Sequence, residues 1–437
     1  MGVSLLIWAA VMVGALLAVR RQKASLGLTL AYLTGLLLIH VPGGLVHFLN
    51  PGLLNTTPEV AEGLRLSAIA ALCFLGGIFS FQRLNPQARR CLSLSARVVS
   101  TSSPNPRFWW FCLIAGLVFA FLCSPLLAIP SIGAVVSTGS AIWILGTLLA
   151  YRWFTRHQQQ QLVGWLGVSL IYPVLTLFLG GFLSYGTAGL INALSVLLVT
   201  GRHLWRVLLA YGLALLLALS VFTAYFQNRN AIRDAVWYGA SLEQRLDAAS
   251  GVIRDFHIFD PFADDDITST DQRLNQNYFT GLAALRIQAG QSTSLQGRTI
   301  GDAVIALIPR AIWPDKPVAA GSGTLVAEST GLILNESTSF GVGNVMEAYI
   351  NFGLIGILFF FALFGYGLAW LDFTAFMAER EGNLRLLLSA FLPAVALIQP
   401  NGSFVELTAG AASAWLAGRF WFWVWQRRQR RVQRQFT

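Results

Sequence analysis

The residues best suited to chemistry stand in one stretch, Pro309-Arg310-Ala311-Ile312-Trp313-Pro314-Asp315-Lys316-Pro317. Its three prolines fix φ and restrict the residues before them, so the backbone is stiff and extended. That frame carries two cations, Arg310 and Lys316, with the amphipathic Trp313 between them. A guanidinium suits bidentate contact with phosphate, and Trp favours the boundary between lipid and water. Two readings follow. One is a basic elbow that meets a phosphate at a membrane surface. The other is a re-entry elbow, whose prolines end one element and whose Trp313 anchors the next. Both stand on this stretch alone.

Seven arginines precede it in the same polar segment, 227–346: Arg229, Arg233, Arg245, Arg254, Arg273, Arg286 and Arg298. The segment holds more acids than bases, so most of these read as paired on a solvated surface. Arg310 stands apart because it closes the apolar run 303–308, and Arg229 and Arg233 because they directly follow another apolar run. The carboxylates that could serve as a general base are Glu328, Glu347 and Asp315, with Glu336 nearby in sequence. A base needs hydrogen-bond reach to the hydroxyl it deprotonates, which spacing does not supply. Glu347 also opens an apolar run, where an acid complements the helix dipole. Asp264-Asp265-Asp266, followed by Thr268, Ser269 and Thr270, lacks the alternating spacing and distal Glu of a calcium loop and reads as a solvated turn. His257 reads as a half-buried structural histidine. There is no HExxH, GxSxG, Walker A or dinucleotide-binding glycine fingerprint, so neither a metal nor a cofactor is expected.

The elements that must position these groups are apolar. Of 437 residues, 55% are hydrophobic and only 11% charged, with mean hydropathy +0.61. A soluble domain carries about 25% charged residues, so the chain is a polytopic membrane protein. Its net charge of +10 resembles a nucleic-acid signal. The cations fall mostly in short loops between apolar runs, however, and therefore report topology; no nucleic-acid partner is expected. Cys73, Cys91, Cys112 and Cys123 show no CxxC or Cys/His spacing, which argues against a disulfide framework or zinc.

Eleven apolar runs have the length of a span: 3–19, 24–41, 64–82, 108–127, 131–151, 162–179, 184–200, 205–226, 347–370, 384–400 and 403–425. The first is read as a retained span, not a cleaved signal. With eleven spans every Arg/Lys cluster falls on one side, from Arg20/Arg21/Lys23 to the basic tail 426–437, and the alternate short loops carry none. This predicts a cytoplasmic C-terminus and an outward N-terminus. Eight spans then fill 1–226, the polar segment 227–346 is one large outer loop, and three spans fill 347–425. Within the loop, 241–258 reads as an amphipathic helix with Leu242, Leu246, Ala249 and Ile253 on one face, and 278–289 and 300–308 as two more short helices.

Two glycine-rich stretches, 341–344 and 180–186, permit close backbone approach or a broken helix. The array running from Pro309-Arg310 through Trp313-Pro314 and Lys316-Pro317 to Gly341, Gly343, Tyr349, Asn351-Phe352-Gly353 and Gly356 resembles the oligosaccharide repeat-unit polymerases, the O-antigen polymerases of the Wzy type. The resemblance is specific over about fifty residues and architectural elsewhere. The arginine such polymerases carry in a glycine-rich stretch between middle spans has no counterpart in GGFLSYGTAG. The resemblance implies an all-helical GT-C glycosyltransferase in a bacterial cytoplasmic membrane. Its substrates would be undecaprenyl-diphosphate-linked oligosaccharides, with a chain-length regulator and a flippase as companions. A sugar hydroxyl would attack the anomeric carbon and release undecaprenyl diphosphate. Arg310, supported by Lys316, Arg229 and Arg233, would meet the developing charge without requiring a metal. Glu347, Glu328 or Asp315 would take the proton. An O-antigen ligase, a flippase of lipid-linked sugars and a membrane scaffold are the competing readings.

Overall fold

The computed structural model describes residues 1–22, 24–51, 56–93, 106–122, 126, 132–156, 203–308, 312–313, 315–317, 319–333 and 341–435. The expected spans 162–179 and 184–200, the 180–186 stretch, and Pro309, Arg310, Ala311, Pro314 and Glu336 lie outside the described residues.

Every regular element among the described residues is helical. The first seven are α1 (Gly2–Gln22), α2 (Leu28–Leu49), α3 (Thr57–Leu84), α4 (Pro86–Ser93), α5 (Pro106–Leu122), α6 (Ile132–Ser140) and α7 (Ile142–Arg156). After the undescribed segment come α8 (Leu204–Trp237), α9 (Leu242–Arg254), α10 (Asp264–Arg273), α11 (Gln276–Gln288), α12 (Arg298–Ala306) and α13 (Ser322–Thr330). The chain closes with α14 (Asn344–Glu381), α15 (Leu384–Ala396) and α16 (Phe404–Gln435). Six stretches are long and apolar enough to cross a membrane: α1, α2, α3, α6 with α7, α8 and α14; α5 and α15 are apolar but shorter. The chain is an all-α membrane protein.

The central pair is α3 and α14, and glycine lets them touch. A Cβ on Gly77 would lie 2.2 Å from the carbonyl oxygen of Ala362, and one on Gly365 2.2 Å from that of Phe74. Small residues at a crossing let two backbones approach closely where lipid offers no hydrophobic drive. Tyr32 of α2 fills the adjoining space between Phe74 and Phe364, with ring centroids 4.9 and 4.8 Å away. At one end of this bundle, partly buried Arg152 pairs with buried Glu379 at 2.9 Å and Asp372 accepts from the Leu26 N–H at 2.7 Å, which ties α7 and the α1–α2 link to α14.

The structure moves several sequence-based boundaries. α8 continues past Phe226 to Trp237, so Arg229 and Arg233 sit on helix and not on loop. Buried Ile232 carries the apolar period onward. The expected basic tail is likewise helical to Gln435. Asp264-Asp265-Asp266 is not a turn but the first turn of α10. Three acids there complement the positive end of the helix dipole. The three short helices expected in the polar segment are present as α9, α11 and α12.

Candidate functional site

The arginine pair at the end of α8 gains a third member from α10. Arg229 and Arg233 are four residues apart on one helix, so they share a face. Arg273, the last residue of α10, joins them over the Phe226 ring. The guanidinium carbons of Arg229 and Arg273 lie 5.5 and 5.8 Å from that ring's centroid. Burial, and then the charges of Arg229 and Arg233, pull the Arg273 guanidinium down to about 10, against a smaller opposing effect of Tyr225. All three arginines are half-buried. Like charges gathered in a partly desolvated place repel one another, and an anion beside them would relieve that repulsion.

What fixes Arg273 is a polar lattice between α8, α10 and α2. Asp266 is fully buried and accepts from the Asp260 N–H at 2.8 Å. It also faces His257 Nε2 at 2.9 Å. The Ser220 hydroxyl of α8 accepts from the Phe259 N–H at 2.9 Å, and Phe259, Ile267 and Val46 close a small core beneath. On the α2 side, buried His47 meets Asp271 at 2.8 Å, and Asn275 donates to the same carboxylate at 2.6 Å. Burial alone would push the Asp271 carboxyl up, but the bonds from His47 and Asn275 hold it below the ordinary range. Asn277 completes the seam, donating to the His40 carbonyl at 2.6 Å. A Cβ on Gly43 would lie 2.4 Å from Asn275, so only glycine fits where α2 passes this seam. His257 makes structural bonds, but it is exposed and not half-buried as expected. Its bond to the Asp255 carbonyl, and then Asp266, raise its pKa above the usual value.

The glycine-rich motif builds a second polar centre. The Asn344 side chain donates to the Gly402 carbonyl at 2.8 Å and accepts from the Tyr32 hydroxyl at 2.8 Å, while its backbone N–H bonds the Pro400 carbonyl. Gln276 donates to the carbonyls of Gly341 and Val342 at 2.7 and 3.0 Å. Asn351 donates to Thr299 at 2.8 Å and accepts from the Gly297 N–H at 3.1 Å, which fastens α12 to α14. Directly after it the helix breaks: Phe352 and Gly353 leave helical geometry, and Gly353 takes φ 61°. That left-handed angle explains the glycine.

Glu347 is fully buried in this centre, and its Oε2 accepts from the Phe404 N–H at 2.7 Å. It therefore caps the start of α16. Asp302 and Glu406 are the carboxylates that bear on it electrostatically. Glu328 pairs on the surface with Arg298. Asp315 is exposed, as is Trp313 beside the exposed Ile312. Lys316 donates to the carbonyls of Ala306 and Ile308 at 3.2 and 2.8 Å, across the C-terminus of α12. Of the residues singled out in the sequence, then, Arg229 and Arg233 come together, Glu347, Glu328, Asp315 and Lys316 take separate places, and Arg310 lies outside the described residues. Arg273 was not singled out. Its charge at the end of an acid-led helix was legible, but its return to α8 was not.

No family model, curated protein or solved structure matches the chain.

Proposed function

We propose that the chain is a membrane glycosyltransferase that extends lipid-diphosphate-linked oligosaccharides, with eleven spans and its polar segment on the outer face of a bacterial cytoplasmic membrane. The observation that carries this reading is the gathering of Arg229, Arg233 and Arg273 at the end of an apolar helix. A diphosphate tethered to a lipid arrives at that height. Three guanidiniums can share its charge through charge-assisted hydrogen bonds. As the anomeric carbon–oxygen bond breaks, negative charge grows on the departing diphosphate, and preorganised cations favour that state over the ground state. The resemblance of residues 309–356 to repeat-unit polymerases adds Arg310 to the same task.

In this reading Glu347 positions and does not take the proton, because its carboxylate is fully buried and engaged with the Phe404 N–H. Asp315 is the better base: it is exposed and has no ion-pair partner among the described residues. Lys316 sets the elbow against the end of α12, and Trp313 fixes its depth. Asp372, an acid that a flippase path could have used, is instead bonded to Ser25 and the Leu26 N–H, so the flippase reading draws no support from it.

The test is genetic. In cells whose own copy is deleted, the wild-type chain should restore a ladder of polymer lengths. An Arg229→Gln/Arg233→Gln variant present at wild-type level should leave lipid-linked single repeats. Wild-type ladders from that variant would remove the assigned role. Full-length polymer left unattached on its lipid would identify a ligase instead.

A further inference from the structure

We infer that the groove between the start of α15 and the last turns of α16 binds the headgroup phosphate of an anionic phospholipid. The groove has a volume of about 380 Å³ and is lined by Asn383, Arg385, Phe422, Trp425, Gln429 and Arg430, among others. Its walls divide by chemistry. Trp425 is buried with its ring 5.1 Å from both Phe108 and Phe111, so the apolar wall is held rigidly. Arg385 and Arg430 are exposed and have no ion-pair partner among the described residues. Glu381, the nearest acid in sequence, does not line the groove. The Asn383 side-chain oxygen accepts from the Leu386 N–H at 3.1 Å, which leaves the amide NH2 of this exposed, groove-lining side chain as a further donor. The start of the thirteen-residue α15 adds its positive dipole end, although the Leu384, Leu386 and Leu387 N–H groups are already bonded to Gly382 and Asn383.

Charge complementarity and position choose the occupant. Two cations and a donor amide sit where apolar helices end, against an aromatic wall that continues along the span. A phosphodiester with an acyl chain satisfies both halves, as basic pockets between spanning helices do for acidic headgroups. Free phosphate would satisfy only one. The site is separate from the arginine cluster of α8 and does not depend on the transferase reading.

Full-length protein in nanodiscs of phosphatidylcholine with increasing phosphatidylglycerol tests this, with retained lipid counted by native mass spectrometry. One phosphatidylglycerol should be retained saturably by the wild type. Arg385→Gln/Arg430→Gln should weaken retention about 30-fold, the factor that about 1 kcal/mol per cation implies. Gln429→Glu, which places a like charge in the groove, should weaken it as well. Arg427→Gln/Arg428→Gln/Arg431→Gln removes more charge from the same helix outside the groove and should leave the saturable lipid in place. Equal loss in that control would show diffuse attraction and overturn the proposal. Retention unchanged in both groove variants would overturn it too. So would inorganic phosphate that, in pure phosphatidylcholine, protects the protein as well as phosphatidylglycerol does.

Discussion

Replacing Arg273 by Gln should leave stability nearly unchanged and lower activity, a pairing that an ordinary structural arginine does not give. The Arg229 and Arg273 guanidinium carbons lie 5.5 and 5.8 Å from one ring centroid, so the sum of those distances, 11.3 Å, is their largest possible separation. At that limit two unit charges repel by about 1.5 kcal/mol at an effective dielectric constant of about 20. Salt with a screening length of about 8 Å and the half-exposed position reduce this, and Arg233 adds a second like charge, so the relief is about 1 kcal/mol, which loss of the Arg273 contact with the Phe226 ring, about 0.5–1 kcal/mol, largely offsets. For a chain of this length Tm should therefore stay within about 1–2 °C of the wild type, read by scanning fluorimetry in detergent. On the functional side the variant loses one charge-assisted contact to the diphosphate, about 1.5–3 kcal/mol, or roughly 10- to 150-fold in transfer rate. The rate is measured in liposomes with lipid-linked donor. An Arg273→Gln protein that melts lower and transfers at the wild-type rate would refute the reasoning, because Arg273 would then be an ordinary structural cation.

Glu347→Gln keeps an acceptor for the Phe404 N–H, so transfer should stay within about threefold, whereas Glu347→Ala should cost about 1–3 kcal/mol in a denaturation curve. Asp315→Asn should lower the maximal transfer rate by about 10²–10⁴ with little change in Tm, the range expected for loss of a general base. Gly281→Ala places a Cβ 1.8 Å from the Glu59 carbonyl oxygen where α11 meets α3, so those backbones must separate; destabilisation of about 3 kcal/mol or more should appear as reduced yield and an earlier unfolding transition. The raised pKa of His257 fixes the sign of one pH effect. Its link to Asp266 should stabilise the polar segment fully below pH of about 6.5, the ordinary histidine value, and fade as pH rises through the raised folded value. His257→Asn should flatten that slope in Tm against pH.

Apolar runs show where helices must be: eight of the eleven expected spans overlap apolar helices among the described residues, and a ninth, 403–425, overlaps α16. Their ends were harder to read. α8 outlasts its apolar run because Ile232 keeps the helical period after the composition has turned polar. The Asp264–Asp266 run misled for a related reason: three acids suit a solvated turn and a helix start equally well, and only the buried contact of Asp266 with the Asp260 N–H decides between them. Arg229 and Arg233 were legible as cations following a span. Arg273 required knowing that α10 folds back onto α8 through Phe259 and Ser220, a long-range pairing that leaves no local pattern. The same holds for His40, His47, Asn275 and Asn277, whose bonds join α2 to a segment more than two hundred residues later. The charge of Glu347 is legible in the sequence, but its burial and its bond to the Phe404 N–H belong to the packing of α14 on α16.

The central claim is that Arg229, Arg233 and Arg273 act on a lipid-borne diphosphate during glycosyl transfer. The most direct measurement is made on purified protein in liposomes supplied with defined undecaprenyl-diphosphate-linked repeat units. Released undecaprenyl diphosphate and glycan length are followed together. The account predicts one diphosphate released per bond formed and a growing ladder of products, with both lost together when Arg229 and Arg233 are replaced by Gln. Intact repeat units alongside a well-folded wild-type protein, or ladders of normal length from the double variant, would contradict it.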